Sequence, residues 1–343
     1  MRAAVPIKRY IASFLSTIGA VNRKLERASI YNSVILAYHR VTPGSEGGKG
    51  LQAGMYVEPE VFREHLRFLK SFFSIVSISE LSGDLNKGFD ISQSKPICVL
   101  TFDDGWRDFY TYAFPVLKDE MVPAVVFLPT NFIGSEDWFW TDCLGHLLSR
   151  YDGSEPVSSR RQSSGNPLVK RIEGLKGCFE SRLEKAIEIL KERSDTEIFD
   201  VLSELSHKWK LSRKPSGRAF LSWDEVRELG QTGLITFGSH TASHRILTSL
   251  TAHEIRAELT ESKKRLISEN AVAPSFIPFC FPNGNYNEKI ASIVKETGYS
   301  LAVTTNKGWN RVDSDPFTLC RIGIHQDMTS TRAMFACRIL GIL

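Results

Sequence analysis

The sequence of 343 residues predicts a parallel α/β fold with a barrel-like number of strands. Short apolar runs rich in β-branched residues alternate with amphipathic helical stretches, which is the pattern of repeated strand–helix–strand units. Hydrophobic residues make up 42% of the chain, which is enough to bury a large core. The chain's most distinctive polar motifs also stand where predicted strands end, as expected for the site of a parallel barrel.

Eight segments have the length and composition of strands. They are residues 33–39, 73–78, 96–102, 123–128, 234–239, 276–281, 300–304 and 318–324. Apolar stripes mark the helices between them. One stripe lies at 61–69 after a start at Glu58, and another lies at 255–266 after a cap at Thr251.

Two parts of the chain depart from this alternation. Residues 136–218 show no strand signal, so we interpret them as a mainly helical insertion into a barrel domain spanning 31–343. Residues 1–30 are predicted to form an amphipathic helix. Its apolar positions are Ile7, Ile11, Phe14, Leu15, Ile18 and Leu25, and its basic residues are Arg2, Lys8, Arg9, Arg23, Lys24 and Arg27. This combination fits peripheral contact with an anionic membrane, and packing on the domain's own core is the alternative.

Charge and targeting signals bear on the partners of the protein and on its location. The net charge of +4 is spread along the chain rather than concentrated in basic patches, which argues against a nucleic-acid partner. The six cysteines form no CxxC pair, so we expect reduced thiols. We find no signal-peptide pattern and no run of 18 apolar residues. The sequence therefore predicts a cytoplasmic protein, with peripheral contact at the inner membrane face.

The first chemical motif is TFDDG at 101–105, directly after an apolar strand. A turn at Gly105 can aim both Asp103 and Asp104 into one site, one toward a metal ion and the other toward a water molecule on that ion. The structural alternative is an Asp-Gly turn in which Asp104 caps a helix.

The second motif is SHTASH at 239–244, again after a strand. His240 and His244 have the spacing that puts two imidazoles on one face of a helical turn, within reach of one cation. Surface or capping histidines are the alternative. Two imidazoles and one carboxylate would make a catalytic metal site with positions left for water and substrate. Zinc suits these ligands best, and cobalt, nickel, manganese and iron also accept them.

On these residues the sequence resembles the polysaccharide deacetylase family, carbohydrate esterase family 4, which shares the nodulation deacetylase homology domain. The likeness rests on the two motifs above, with weaker support from YHRV at 38–41, FPNGNY at 281–286 and RIGIH at 321–325. It implies a distorted (β/α) barrel with its site at the carboxyl ends of the strands. It also implies a metal-dependent hydrolase that removes N-acetyl groups from an amino-sugar polysaccharide or glycan precursor.

Carried over by position, the resemblance assigns Asp103 as the general base and Asp104, His240 and His244 as the metal ligands. In the implied reaction, the metal polarises the acetyl carbonyl and acidifies a water molecule, and Asp103 takes the proton as that water attacks. Free amine and acetate are the products.

The later motifs depart from the commonest family pattern. Cys280 stands where an arginine usually orients the base, which leaves the partner of Asp103 unidentified. By the same resemblance, Asn283 would supply a backbone N–H for the oxyanion. No clear Leu-x-His motif provides the general acid, so we assign that role to His325, with His39 as the next candidate. The residues assigned to substrate contact are His39, Pro282 and Tyr286.

Two other functions remain compatible with the sequence. A barrel that has lost catalysis could bind a glycan, although a binding site has no need of Asp103 beside the metal. A hydrolase of another linear amide or of an acyl ester would use the same residues.

Overall fold

A computed structural model of the chain describes residues 4–17, 19–26, 32–44, 54–87, 95–151 and 165–342. The chain divides into two compact units. The barrel unit contains residues 1–42, 56–135 and 220–343, and the helical unit contains residues 43–55 and 136–219.

The strands of the barrel unit are short and mostly buried. They are β1 (Asn32–Tyr38), β2 (Arg40–Val41), β3 (Tyr56–Val57), β4 (Ser74–Ile75), β5 (Ile97–Phe102), β6 (Ala124–Leu128), β7 (Ile235–Ser239), β8 (Pro278–Cys280), β9 (Leu301–Val303), β10 (Asn310–Arg311) and β11 (Ile322–Gly323).

The helices fall into both units. Those of the barrel unit are α1 (Ala4–Thr17), α2 (Ala20–Glu26), α3 (Pro59–Phe72), α4 (Ile78–Lys87), α5 (Phe114–Asp119), α10 (Trp223–Gln231), α11 (Ala252–Ser268), α12 (Glu288–Glu296), α13 (Gln326–Thr329) and α14 (Arg332–Ile339). Those of the helical unit are α6 (Trp140–Arg150), α7 (Pro167–Glu173), α8 (Phe179–Leu190) and α9 (Asp195–Trp209).

The main sheet has the order β10-β1-β5-β6-β7-β8-β9, with β11 also beside β1 and β4 beside β5. All of these pairings are parallel except that of β1 with β10. Every residue of β5 and β6 is buried, as expected for parallel strands covered on both faces. The parallel α/β prediction is therefore confirmed.

The segment 316–323 links the two ends of the sheet. Its first part bonds to β9, where the backbone N–H of Leu319 donates to Ala302 and that of Thr304 donates to Leu319. Its last part, β11, pairs with β1. The sheet therefore curls into the distorted barrel that the motifs imply, and each of the eight predicted segments contains a strand or part of one.

The two helix starts read from the sequence are confirmed. Helix α3 begins at Pro59 after Glu58, where the missing N–H of proline costs nothing in the first turn. Helix α11 begins after Thr251, whose side chain accepts from the backbone N–H of Glu254 while the Glu254 carboxylate accepts from Thr251 in return. This reciprocal capping satisfies two of the N–H groups that a helix start leaves unpaired.

The N-terminal region forms two helices rather than the single one predicted. Gly19, with a φ of 69°, lies between α1 and α2, and this left-handed backbone breaks a right-handed helix. Helix α1 packs on α14 and buries Ala12 completely. Its opposite face is exposed. The predicted positions Arg2, Ile18 and Arg27 lie outside the described residues. No helix among the described parts of the chain has the length and apolar character needed to cross a bilayer.

The helical unit has a hydrophobic core of its own. Helices α6 to α9 contribute buried side chains that include Leu144, Leu147, Leu183, Val201 and Leu205. Helix α9 is capped by Ser194 and Glu197 in the same reciprocal way as α11. A separate apolar core of this kind allows the segment to hold its own structure.

His65 joins three parts of the barrel unit through a buried ring. Its Nε2 lies 2.8 Å from the carbonyl oxygen of Thr329 and must donate, because a carbonyl has no proton. Its Nδ1 then accepts from the Tyr38 hydroxyl at 3.3 Å. Burial lowers the pKa of His65 to about 4, although the bond to Thr329 opposes the shift. The folded protein therefore keeps this imidazole neutral at neutral pH.

We expect acid to destabilise the barrel unit through His65. The unfolded pKa of 6.5 lies above the folded value of about 4, so the unfolded chain binds the proton first. The contribution of neutral His65 to the free energy of unfolding is complete above pH 6.5 and is lost as the pH falls toward 4. Urea unfolding should show wild type losing about 2 kcal/mol more than His65→Gln between pH 7.5 and pH 5.

The matched control is His253→Gln, because His253 is exposed on α11. This variant should keep the pH dependence of wild type. An unchanged pH dependence in His65→Gln would contradict the assignment.

Candidate active site

The motif residues meet at the carboxyl ends of the parallel strands. Asp103 and Asp104 follow β5, His240 follows β7, and His39 follows β1. Because β5 lies between β1 and β6, and β6 pairs with β7, these strand ends share one edge of the sheet. The barrel itself therefore brings residues distant in sequence into one site.

The two adjacent carboxylates serve different partners because the backbone turns between them. Asp104 and Gly105 both have left-handed backbones, with φ of 72° and 63°. A Cβ on Gly105 would lie 2.7 Å from the end of the Leu128 side chain, and the left-handed backbone also favours glycine there. The Asp-Gly turn is present, but it orients both carboxylates rather than simply capping a helix.

Asp103 is held by a fully buried arginine. Nη1 of Arg321 lies 2.7 Å from Oδ1 of Asp103, and Nη2 lies 2.8 Å from Oδ2. The remaining donors of the guanidinium reach the Thr304 carbonyl, the Thr101 hydroxyl and the Cys280 sulfur at 2.8, 3.0 and 3.1 Å. Every N–H direction of the ion is thus occupied, which fixes both the position and the charge of Asp103.

Asp104 faces the two histidines. Its Oδ1 lies 3.4 Å from Nε2 of His240 and 3.2 Å from Nε2 of His244. Its Oδ2 accepts from the Trp106 indole N–H at 3.0 Å, which fixes the orientation of the carboxylate. The three ligand atoms of this group lie within 4.8 Å of one another.

This donor set fits a divalent metal. Nδ1 of His240 lies 2.8 Å from the Cys280 carbonyl oxygen and must donate to it, which leaves the lone pair on Nε2 facing Asp104. Ligand atoms about 2.1 Å from a tetrahedral zinc ion lie about 3.4 Å apart, close to the spacings found here. Asp104, His240 and His244 could therefore hold such an ion with little rearrangement.

The charge states suit the same role. Burial by itself raises the pKa of both carboxyl groups. The Arg321 charge overcomes this effect and lowers the pKa of Asp103, while His240 and His244 hold the pKa of Asp104 well below its usual range. Burial lowers the pKa of His244 despite the nearby Asp104. Burial opposes protonation of His240, but Cys280 and Asp104 raise its pKa well above the usual range. Without a bound ion, the site therefore presents two carboxylates, a protonated His240 and a neutral His244 at neutral pH, and a metal ion would take the place of the proton on Nε2 of His240.

The prediction that His240 and His244 lie on one face of a helical turn is wrong, although their two rings do lie side by side. Residues 240–244 form a loop and not a helical turn. Thr241 and His244 have left-handed backbones, with φ of 65° and 60°. The loop folds back on itself, and this fold brings the ring centroids of His240 and His244 to 4.8 Å.

The candidates after β8 lie in a short turn. Pro282 is buried, and Asn283 is exposed with a φ of 55°. A Cβ on Gly284 would lie 1.9 Å from the Thr305 hydroxyl, so the turn requires glycine. Tyr286 stacks on Phe281 with ring centroids 5.1 Å apart and accepts from the Asn306 amide at 2.9 Å. Asn283 donates to the Asn285 side chain, and all three candidates follow β8, the strand beside β7.

The two candidate acids differ in their surroundings. Nε2 of His39 lies 3.9 Å from Oδ2 of Asp103, and its side chain is 30% exposed. His325 is the N-cap residue directly before α13, and its Nδ1 is buried without a hydrogen-bond partner among the described residues. Burial, with help from the Arg338 charge, lowers the pKa of His325. The structure thus brings His39, and not His325, within 4 Å of Asp103.

The sequence did not identify Arg321 and Trp106 as site residues. A signal for Arg321 was present, because this charged residue stands inside the apolar segment 318–324 and such a residue needs a buried partner. Trp106 directly follows the TFDDG motif. Nothing in its local pattern distinguishes an indole that orients a ligand from one that only packs.

Comparison with known proteins gives the same answer as the motifs. The family model described as polysaccharide deacetylase matches residues 90–173 and 175–302, more than half of the chain. The Bacillus subtilis protein YxkH, whose name places it provisionally among polysaccharide deacetylases, is 22% identical over 298 residues, 87% of this chain and 73% of that protein.

Solved structures share the fold. The Streptococcus pyogenes deacetylase PplD, in complex with acetate, has a TM-score of 0.57 at 19% identity and covers 92% of this chain and 99% of its own. A de-N-acetylase from Aggregatibacter actinomycetemcomitans has a TM-score of 0.53 at 18% identity, and the match covers 91% of this chain and 100% of that protein. The family model, the shared fold and the two motifs agree, and the chain belongs to the polysaccharide deacetylase family.

Proposed function

We propose that this chain removes the N-acetyl group from an amino-sugar unit of a polysaccharide or glycan precursor, by metal-dependent hydrolysis. One observation carries the proposal. Arg321 bonds both oxygens of Asp103 and keeps it ionised, so Asp103 stands beside the ligand group of Asp104, His240 and His244 rather than in it. A site that only binds a glycan has no use for such a carboxylate, whereas hydrolysis requires a base beside the metal.

Asp104, His240 and His244 would hold the ion, and zinc is our proposed metal because two imidazoles and one carboxylate suit it best. When bound, a divalent ion polarises the acetyl carbonyl and acidifies the attacking water.

The remaining steps belong to the chain's own residues. Asp103 accepts the proton of the attacking water, and Arg321 keeps that carboxylate aimed and charged before each turnover. The backbone N–H of Asn283 is our candidate donor to the oxygen that gains negative charge. Pro282 and Tyr286 form the adjacent wall for the sugar. The C–N bond then breaks to give acetate and a free amine.

We propose that His39, rather than His325, gives the departing amine its proton. His39 is partly exposed, lies 3.9 Å from Asp103 and can reach both solvent and substrate. His325 is a poor donor near pH 7, because burial and Arg338 lower its pKa and leave it neutral.

The solved relatives support the choice of substrate. The Aggregatibacter protein is a de-N-acetylase, and PplD is in complex with acetate, the second product of the proposed reaction. A linear amide or an acyl ester would pass through the same steps, so only a direct comparison of turnover distinguishes these substrates.

We also propose that α1 rests on an anionic membrane surface, at the cytoplasmic inner face predicted from the sequence. Four large apolar residues at helical spacing are exposed, namely Ile7 (62%), Tyr10 (78%), Ile11 (44%) and Phe14 (65%). They form one face of α1. Residues 1–30 hold six basic side chains against one acidic side chain, Glu26. An exposed apolar face with a basic excess favours binding to anionic lipid.

We expect substitution of the base and substitution of a metal ligand to have different effects on metal content. Asp103→Asn should keep about one metal ion per chain and lose about 10²- to 10⁴-fold in turnover of N-acetylglucosamine oligomers. His240→Ala should lose both, and His253→Ala should lose neither. Elemental analysis of protein purified without a chelating tag measures the metal, and released acetate measures turnover. Equal metal loss in Asp103→Asn and His240→Ala would contradict this division of roles.

The same assay separates the alternative functions. Binding of the oligomers without acetate release by metal-loaded wild type would favour the glycan-binding barrel. Faster turnover of a linear amide or an acyl ester would move the proposal to that substrate.

The acid is tested with two leaving groups. His39→Gln should lower turnover of the N-acetyl substrate about 10²- to 10⁴-fold, because the amine must leave protonated. It should slow an aryl acetate far less, because an aryloxide leaves without a proton. His325→Gln is the matched control and should change both rates little. A larger and substrate-selective loss in His325→Gln would restore His325 as the acid.

Membrane contact is tested by sedimentation with vesicles that contain phosphatidylglycerol. We expect the triple variant Ile7→Ser, Ile11→Ser, Phe14→Ser to bind at least about tenfold more weakly than wild type, since apolar burial drives such binding. Met121→Ser removes an exposed apolar residue elsewhere and should bind normally. Equal binding of the triple variant and wild type would contradict the proposal. So would recovery of the protein in the periplasm.

A further inference from the structure

The loop that carries both histidine ligands, residues 240–244, is held from outside the site. Two of its non-glycine residues, Thr241 and His244, have left-handed backbones. Such conformations are unfavourable for residues with a side chain and persist only where surrounding contacts impose them. The acceptors of the loop's backbone N–H groups show which contacts these are.

Three of the five N–H groups find acceptors close at hand. That of His240 donates to the carbonyl of Leu128 on β6, at 2.9 Å. That of Thr241 donates to the Ser239 hydroxyl at 3.2 Å, and that of His244 donates to the Thr241 hydroxyl at 3.0 Å. The other two N–H groups, those of Ala242 and Ser243, lie between the two ligands.

Both of these N–H groups donate to one carboxylate. Oε2 of Glu258, on α11, lies 3.0 Å from the nitrogen of Ala242 and 2.9 Å from that of Ser243. Oε1 of Glu258 accepts from the Ser243 hydroxyl. Ala242 is 1% exposed, so water would not easily replace this acceptor.

Helix α11 anchors the start of the loop as well. Ser262, one turn after Glu258, pairs with the Ser239 hydroxyl at 2.8 Å. The Tyr299 hydroxyl lies 3.0 Å from the same Ser239 oxygen. On the other side, the N–H groups of Thr130 and Asn131 donate to the carbonyls of loop residues 241 and 242. The loop is thus held on both sides, and Glu258 is its charged contact.

We propose that Glu258 is a positioning residue for the metal site, which deepens the proposed function and depends on its metal. By gathering the two N–H groups between His240 and His244, it imposes the reversed loop that points both imidazoles at Asp104. Its effect passes through the loop backbone, since its hydrogen bonds reach Ala242 and Ser243 and not the ligands. Its loss should therefore change the affinity and geometry of the bound metal more than the stability of the fold.

The test uses Co²⁺ as a visible probe of ligand geometry in the full chain. Glu258→Gln keeps the side-chain shape but removes the negative charge, and it leaves one acceptor oxygen for the loop where the carboxylate has two. We expect it to weaken Co²⁺ binding about 10- to 100-fold, the usual effect of losing an outer contact to a ligand, and to alter the visible spectrum. Glu261→Gln makes the same change at an exposed position three residues further along α11 and should match wild type.

A second variant keeps the test informative if Glu258→Gln folds poorly. Ser243→Ala removes a single hydroxyl bond to Glu258 and should shift affinity and spectrum in the same direction by less. Circular dichroism and melting of the metal-free proteins measure the fold separately. A lower melting temperature with unchanged Co²⁺ affinity and spectrum would overturn the proposal, because Glu258 would then be structural only.

The outcome is distinguishable from failure of the proposed function. Wild type that binds Co²⁺ in a Glu258-dependent way but releases no acetate would sustain this inference and refute the deacetylase. Wild type that binds no Co²⁺ would overturn both.

Discussion

The site depends on the buried ion pair between Arg321 and Asp103. Removing two charges from water is costly, and such a pair adds little to stability compared with apolar packing. Its value here is geometric. The guanidinium also bonds to Thr101, Thr304 and Cys280, so one side chain ties the ends of several strands to the carboxylate. Any shift of these strands would therefore move Asp103.

This constraint explains how neighbouring aspartates come to do separate tasks. Asp103 and Asp104 are adjacent in sequence and both buried, yet one has a permanent cation and the other has two imidazoles and an indole N–H. Two buried carboxylates this close would normally compete for one proton. Because each has its own partners, both stay ionised, and the left-handed backbone at Asp104 keeps them apart.

Much of the fold was readable from the sequence because it depends on local pattern. An apolar run predicts the buried strand β5. Thr251 predicts the capped start of α11. The motifs also predicted that Asp104, His240 and His244 lie together, as they do in the structure. The features that the sequence did not predict depend on contacts between residues distant in sequence. Arg321 lies 218 positions from Asp103. Glu258 bonds to residues 242 and 243 from the following helix. The break between α1 and α2 was not predicted, because the apolar stripe continues on both sides of Gly19.

The closing segment 316–323 also determines when the site can exist. It carries Arg321 and joins β9 to β1, so Asp103 acquires its partner only after almost the whole barrel has been synthesised. Contacts of such sequence separation form late, because a long loop must close before they contribute. A nascent chain could thus assemble the Asp104 and histidine group while Asp103 still lacked its arginine. Catalytic competence would then arrive with the last strand, coupling hydrolysis to completed folding.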